Sequence, residues 1–164
     1  MSVMSRNTIK RDVNLRSGHS RGQAAVEFLL MVVFLFLVIV AFVELIVFVY
    51  TYDVLADAVK EGVRYAVVHG TGNANCSGPG TTTTTPPITC PDPSGNNVVS
   101  AVTKYARYSL HDTSTMVVTP SYLDGSSNTP NRVRVTVSYP YVAFFGLGWP
   151  RATIKAAAEG RIAY

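Results

Sequence analysis

The sequence predicts an α+β protein in which a long N-terminal transmembrane helix continues into a small domain with an antiparallel sheet. Two observations lead to this prediction. Residues 24–50 form an apolar run that is nearly uninterrupted, and the last third of the chain contains segments in which apolar and polar side chains alternate. A long run without polar breaks is typical of a membrane span, and strict alternation is typical of half-buried strands.

The apolar run is long enough to cross a bilayer. Glu27 and Glu44 alone interrupt it, and residues 28–43 contain no polar side chain. A hydrocarbon core about 30 Å thick needs roughly 20 helical residues that each rise about 1.5 Å. The rest of a chain of this length could hardly cover a helix that is apolar on every face. We therefore predict a transmembrane helix over residues 23–50 rather than the buried core helix of a soluble protein.

Charge on either side of the run predicts its orientation. Residues 1–22 carry one acid, Asp12, and five bases: Arg6, Lys10, Arg11, Arg16 and Arg21. Acids and bases nearly cancel just after the run, so the positive-inside rule predicts a basic cytoplasmic leader over 1–22 and an exported remainder. The run is too long for a cleaved secretory signal, so we expect it to be retained. Basic residues are too sparse in the exported part to favour nucleic-acid binding.

After the span the apolar pattern changes to that of an amphipathic helix. Apolar residues recur at helical spacing over residues 51–69, with charged residues on the other face. We predict one helix from Gln23 to His69 that leaves the membrane part-way along and stops before Gly70.

A loop rich in threonine and proline follows the long helix and contains both cysteines. Cys76 and Cys90 flank this segment, which has neither helical nor strand periodicity. Outside the cytoplasm they can form a disulfide, and two free thiols are the alternative. No histidine pair accompanies them, so the sequence offers no zinc site.

The remaining elements complete an exported α+β domain over residues 70–164. A second helix is predicted from Asn96, capped by Asn96 or Asn97. Strands are predicted over 116–122 and 132–142. The segment 152–164 is predicted to be a third strand, although its alanines leave a helix open. The aromatic residues of this last third suit a core, anchors at the membrane interface or a subunit contact.

The sequence contains no recognisable catalytic constellation. It has no nucleophile elbow, no phosphate-binding glycine loop and no pair of carboxylates on one predicted surface. His19, His69 and His111 are scattered through the leader, a helix end and a loop. We therefore predict neither an enzyme nor a bound cofactor or metal.

The start of the span carries the most specific motif. A basic leader ends in Gly22, and Glu27 follows five residues later within the segment GQAAVEF. A solvated acid close to the cytoplasmic face, or one that favours the helix dipole, would be the simple explanation. The arrangement nevertheless resembles the processing site of type IV pilins and pseudopilins. The resemblance implies that a prepilin peptidase cuts between Gly22 and Gln23, and that Glu27 pairs with the new N-terminal amine of a neighbouring subunit.

Further residues along the helix resemble one particular group of pseudopilins. The AAVEF start, which includes Phe28, the second acid Glu44 and the helix ADAVKEGVRYAVVHG resemble the TadE-like pseudopilins of the tight-adherence (Flp) system. Residues 20–69 carry this likeness. The sequence departs from the family where a central proline is missing and where Gly-Val-Arg stands in place of Gly-Ala-Arg, so the TadE, TadF or TadG type stays open.

The resemblance implies a pilin-like exported domain and a minor pseudopilin of a type IVb pilus in the bacterial inner membrane. Its partners would be membrane lipid, the prepilin peptidase, other pilins and the Tad assembly machinery. Glu27, Phe28 and Glu44 would serve assembly. Because Glu44 lies about 32 Å from Gln23 along an ideal helix, it is expected near the outer interface, either solvated or in a helix–helix contact.

A binding module is the second hypothesis. In that case the span would be a simple signal anchor, and the threonine-rich loop between the cysteines would recognise an external ligand or serve adhesion without any pilus. Cleavage after Gly22 by a prepilin peptidase distinguishes the two hypotheses.

Overall fold

The computed structural model describes residues 17–146 and 152–164, with side chains from Gly22 onward. Within these residues the chain is α+β, as the sequence predicts. Residues 1–16 of the predicted leader and Trp149 lie outside the described residues. The elements are α1 (Ser17–Val68), α2 (Asn96–Ala106), β1 (Val117–Tyr122), β2 (Arg132–Tyr141) and β3 (Ala152–Arg161).

Helix α1 begins earlier than predicted. It starts at Ser17, whereas the sequence pattern placed the start at Gln23 and assigned the preceding residues to the basic leader. Extending an existing helix adds a hydrogen bond for each residue fixed, while starting a new helix is costly. Polar residues without a proline can therefore join a long apolar helix although they show no periodicity of their own. The end at Val68 differs from the prediction by one residue, which is within the usual uncertainty of helix ends.

The chain divides into two compact units, Met1–Val43 and Glu44–Tyr164. In the first unit most apolar side chains of α1 are exposed: Phe28 is 69% exposed and Met31 is 71% exposed, whereas Val40 near the end of the unit is 7% exposed. Among the described residues, one helix is long and apolar enough to cross a membrane. Large apolar side chains on every face of a helix are unfavourable in water and suit a lipid or helix-bundle environment.

The second unit is built on a three-stranded antiparallel sheet in the order β1-β2-β3. The central strand alternates as predicted, because Val133, Val135 and Val137 are fully buried while Arg134 between them is exposed. These valines belong to a core that also receives side chains from both helices: Leu55, Ala58, Val59, Val63, Ala66, Val98, Val102 and Ala106.

A glycine allows the two helices of this core to approach closely. A Cβ atom added to Gly62 would overlap the Cγ2 atom of Val102 in α2. Valine is stiff at χ1 and Val102 is fully buried, so the neighbour has little freedom to move. The glycine of the Gly62-Val63-Arg64 segment thus has a packing reason in this chain.

Candidate functional site

The predicted processing segment lies in regular helix at the start of the apolar run. A Cβ atom added to Gly22 would meet no atom of the described part of the chain within 4 Å. One turn along, the Gln23 amide donates a hydrogen bond of 3.1 Å to the Glu27 carboxylate. Glu27 and Phe28 are exposed. The segment is therefore open to a peptidase or to a neighbouring helix, and a neutral amide is the hydrogen-bond partner that the described residues give the carboxylate.

Glu44 lies in a different environment, inside the second unit. Its side chain is 6% exposed, and its carboxylate accepts a hydrogen bond of 2.5 Å from the hydroxyl of Tyr141. The backbone N–H of Phe144 donates to both carboxylate oxygens at 3.1 Å, and the N–H of Phe145 donates at 3.4 Å. Of the two alternatives that the sequence left open for Glu44, the solvated acid is therefore wrong, and the role in assembly stays a prediction. Every one of these bonds is made within the chain, and sequence reasoning missed them.

Tyr141 is well placed to donate to this carboxylate. It is the last residue of β2 and is 8% exposed, and its ring packs edge-on against Phe48 of α1 with 5.2 Å between centroids. Burial, followed by the hydrogen bond to Glu44 and the charge of Glu44, raises the pKa of the Tyr141 hydroxyl. The hydroxyl therefore keeps its proton and remains the donor. The end of β2 and the residues after it are thus fastened to one helix position.

The threonine-rich loop is more regular than its sequence suggests. Cys76 and Cys90 form a disulfide. Inside the loop, Thr82 is buried; its N–H donates to the carbonyl of Ile88, and its hydroxyl accepts from the N–H of Ile88. Residues 83–89 are exposed, including Ile88 at 60%. The disulfide and these hydrogen bonds close a turn that presents its tip to solvent.

An aspartate joins this loop to the second helix. The carboxylate of Asp92 accepts hydrogen bonds of 2.8 Å from the N–H groups of Asn96 and Asn97 and one of 2.6 Å from the Ser77 hydroxyl. The predicted caps, Asn96 and Asn97, are therefore wrong. They are the first residues of α2, and Gly95 occupies the N-cap position with a φ of 73°. An ionised carboxylate is a stronger acceptor than an asparagine amide.

Replacing Asp92 with alanine is expected to lower the free energy of unfolding by about 2 kcal/mol. The change removes a helix cap, typically about 1 kcal/mol, and leaves the buried Ser77 hydroxyl without its acceptor. Denaturant titration of the full chain in detergent micelles measures the effect. Asp57→Ala is the matched control, since Asp57 is exposed and pairs with Lys60 at the surface. Equal stability of the two variants would contradict the capping role.

The contribution of Asp92 should depend on pH. Burial alone would raise the pKa of Asp92, but the hydrogen bonds from Ser77, Asn97 and Asn96 outweigh it and lower the pKa. A lowered pKa in the folded state stabilises the fold above the ordinary aspartate pKa of about 3.9, and this stabilisation is lost as the pH falls further. The difference in unfolding free energy between the wild type and Asp92→Ala should therefore shrink below about pH 4.

The described residues contain no group of three or more His, Cys, Asp or Glu side chains placed to hold a metal ion. His69 is engaged locally: its ring stacks on Tyr65 with 3.9 Å between centroids, and its Nδ1 lies 2.9 Å from the Tyr65 carbonyl oxygen. The two buried carboxylates described above, Glu44 and Asp92, both have structural hydrogen-bond partners.

Comparison with known proteins found a family match for the apolar helix. A family model described as TadE-like protein matches residues 22–64. A search of curated proteins and a search of solved structures gave no significant match. The matched segment contains Gly22, Glu27 and Glu44, which carried the resemblance in the sequence, and it ends two residues after Gly62. Residues 22–64 are therefore similar to the TadE-like family, in agreement with the resemblance seen in the sequence.

Proposed function

We propose that this protein is a minor pseudopilin that takes part in assembling tight-adherence type IVb pili. The TadE-like domain indicates a protein associated with Tad pili, and the chain has a helix that can cross a membrane. The observation that carries the finer proposal is the start of that helix. Gly22, Gln23 and Glu27 stand there in the spacing of a prepilin processing site, ahead of an exposed apolar surface.

The proposed mechanism is helix packing without catalysis. The chain is inserted in the inner membrane with its leader in the cytoplasm and its C-terminal domain outside. A prepilin peptidase removes the leader after Gly22, which frees the amine of Gln23. The exposed apolar side chains from Phe28 onward then pack against the helices of other pilins and of the Tad machinery. Glu27 pairs with the amine of a neighbouring subunit, because two charges that are each costly in lipid become tolerable together.

The loop supports a second candidate function. A signal-anchored binding or adhesion protein would present an ordered surface loop, and the turn closed by Cys76 and Cys90 exposes residues 83–89. This alternative needs neither cleavage after Gly22 nor a subunit partner for Glu27. Processing is therefore the observation that separates the two.

Incubation of the full chain in membranes with a prepilin peptidase is expected to remove 22 residues. Mass spectrometry of the product identifies Gln23 as the new first residue. Gly22→Ala is expected to abolish this cleavage, because the added methyl group occupies the position that the peptidase reads as glycine. The added Cβ has no neighbour within 4 Å among the described residues, so loss of cleavage would reflect the peptidase rather than misfolding. An uncut wild-type chain would contradict the proposal.

Replacing Glu27 with alanine is expected to leave cleavage largely intact and to prevent normal assembly. Among the described residues, the hydrogen-bond partner of Glu27 is the neighbouring Gln23 amide, and the proposed role of Glu27 is between subunits. Pilus formation and co-purification with other pilins are the measurements. Glu61→Ala is the matched control, since Glu61 belongs to the same helix and pairs with Arg64 at the surface. Normal pili from the Glu27→Ala variant would refute the pairing role.

A further inference from the structure

The segment that follows β2 exposes apolar side chains. Val142 is 76% exposed, Phe144 is 75% exposed and Phe145 is 41% exposed. The two phenyl rings contact each other edge to face, with centroids 5.1 Å apart. No charged residue occurs between Tyr139 and Gly146. An exposed apolar loop of this kind is unfavourable in water and marks a site of contact with a membrane or with another protein.

The position of this segment is fixed by Glu44. The N–H groups of Phe144 and Phe145 donate to its carboxylate, and Tyr141 just before them donates its hydroxyl. Three donors from one short stretch of chain hold the backbone at the level of Glu44 on α1. The phenyl side chains extend from that backbone without taking part in these bonds.

The level of Glu44 follows from the length of the helix before it. From Gln23 to Glu44 an α-helix rises about 32 Å, and the hydrocarbon core of a bilayer is about 30 Å thick. If the helix crosses the membrane from its processed end, as the proposed function requires, Glu44 lies at the outer boundary. The segment bonded to Glu44 then lies at the same boundary.

Charge along the sheet agrees with this placement. Ion pairs gather where β2 begins: Arg132 binds Asp124 at 2.9 Å, and Arg134 binds Glu159 at 2.9 Å. The end of β2, which carries Tyr139 and Tyr141, has no charged residue. The nearest charge described on the neighbouring strand is Lys155, paired in register with Ser138, and lysine can extend its ammonium group toward water. Among the described residues, the ion pairs of the sheet therefore lie at the end away from Glu44.

We propose that residues 142–146 insert into the outer interface of the bilayer and give the exported domain a second contact with lipid. This contact would hold the domain at the membrane surface, with the carboxyl end of β2 toward the lipid and the ion pairs toward water. It rests on the proposed membrane crossing of α1, but it requires neither cleavage nor assembly. The same apolar residues covered by a second protein instead would be a different outcome of the test below.

Spin labels on introduced cysteines can test this contact in the full chain. The native cysteines form a disulfide, and no other cysteine occurs in the sequence, so an added cysteine is the one free thiol. Phe144→Cys and Val142→Cys place the label in the segment and keep the backbone N–H groups that bind Glu44. Leu123→Cys, beside the ion-paired end of the sheet, is the matched control, and Leu35→Cys reports on the span. The protein is reconstituted in vesicles of phosphatidylethanolamine and phosphatidylglycerol.

Collision rates with oxygen and with a water-soluble nickel complex provide the readout. We expect oxygen collisions to exceed nickel collisions for labels at 142, 144 and 35, and the reverse at 123. Labels at 142 and 144 that behave like the one at 123, or that are shielded from both reagents, would overturn the lipid contact. A label at 35 that collides mainly with nickel would contradict both the membrane span and the lipid contact. A chain that prepilin peptidase leaves uncut, with lipid-exposed labels at 142 and 144, would refute the pseudopilin proposal and leave this contact standing.

Discussion

Replacing Glu44 with alanine is expected to lower the free energy of unfolding of the exported domain by about 3 kcal/mol, because each buried donor left without an acceptor costs about 1–3 kcal/mol. The change removes the acceptor of the Tyr141 hydroxyl and of the Phe144 N–H. Tyr141 is 8% exposed whereas Phe144 is 75% exposed, so most of the loss should come from the buried Tyr141 hydroxyl. Denaturant titration of the full chain in micelles, followed by the near-ultraviolet signal of tyrosine, measures the change.

Matched variants separate the hydrogen bonds from the loss of an acid. Glu44→Gln keeps one oxygen for Tyr141 but places an NH₂ group beside the N–H groups of the following segment. It should therefore lower the free energy of unfolding, by less than Glu44→Ala does. Tyr141→Phe combined with Glu44→Ala should show a coupling energy, since the effects of substituting two residues that share a hydrogen bond are not additive. Glu61→Ala is the surface control. A Glu44→Ala variant as stable as Glu61→Ala would show that the contacts carry no net stability.

Glu44 also shows where the sequence stops being informative. Its type and position are visible, because an acid inside an apolar run is conspicuous and its distance from Gln23 predicts an interfacial level. Its partner is 97 residues away in the chain, at the end of a strand. Periodicity reports which face of an element is buried, but it does not report which distant residue meets that face. The burial of Glu44 therefore depended on tertiary structure.

The regular elements were predictable because periodicity does report which face of an element is buried. The alternation of Val133, Val135 and Val137 with polar neighbours defines both the strand and its buried face, and the structure confirms both. The apolar run of α1 is equally direct. Its start was misplaced because residues from Ser17 onward adopt a helix through continuity with the run rather than through a pattern of their own.

The loop between α1 and α2 was less predictable because its order is not periodic. Its backbone groups pair singly with distant partners: the N–H of Thr71 binds the Ser127 carbonyl, and the N–H of Ser127 binds the Pro79 carbonyl. Such bonds leave no repeat in the sequence. The Asp92 cap is a similar case, since the carboxylate reaches over Gly95 to amides that the helix itself leaves free.

Removing the disulfide is expected to cost about 3 kcal/mol, the value that the chain-entropy model gives for a closed loop of about 15 residues. The two cysteines are 14 positions apart, and both are buried. The variant is Cys76→Ala with Cys90→Ala, because serine substitutions would bury two new hydroxyl groups. Denaturant titration of this variant, and of the wild type with and without reductant, measures the loss. Reduced and oxidised wild type with the same unfolding midpoint would contradict the expectation.

The part of the domain that loses stability when the disulfide is removed distinguishes a structural role of the loop from a functional one. Hydrogen exchange at the N–H groups of Thr82 and Ile88 should accelerate most in the disulfide-free chain, because these groups lie inside the loop that the bond closes. Cleavage after Gly22 should be unchanged, since the processing segment belongs to the other compact unit. A pseudopilin would then still be processed while its domain is less stable. A protein whose function is the exposed loop would lose ligand binding in step with the accelerated exchange.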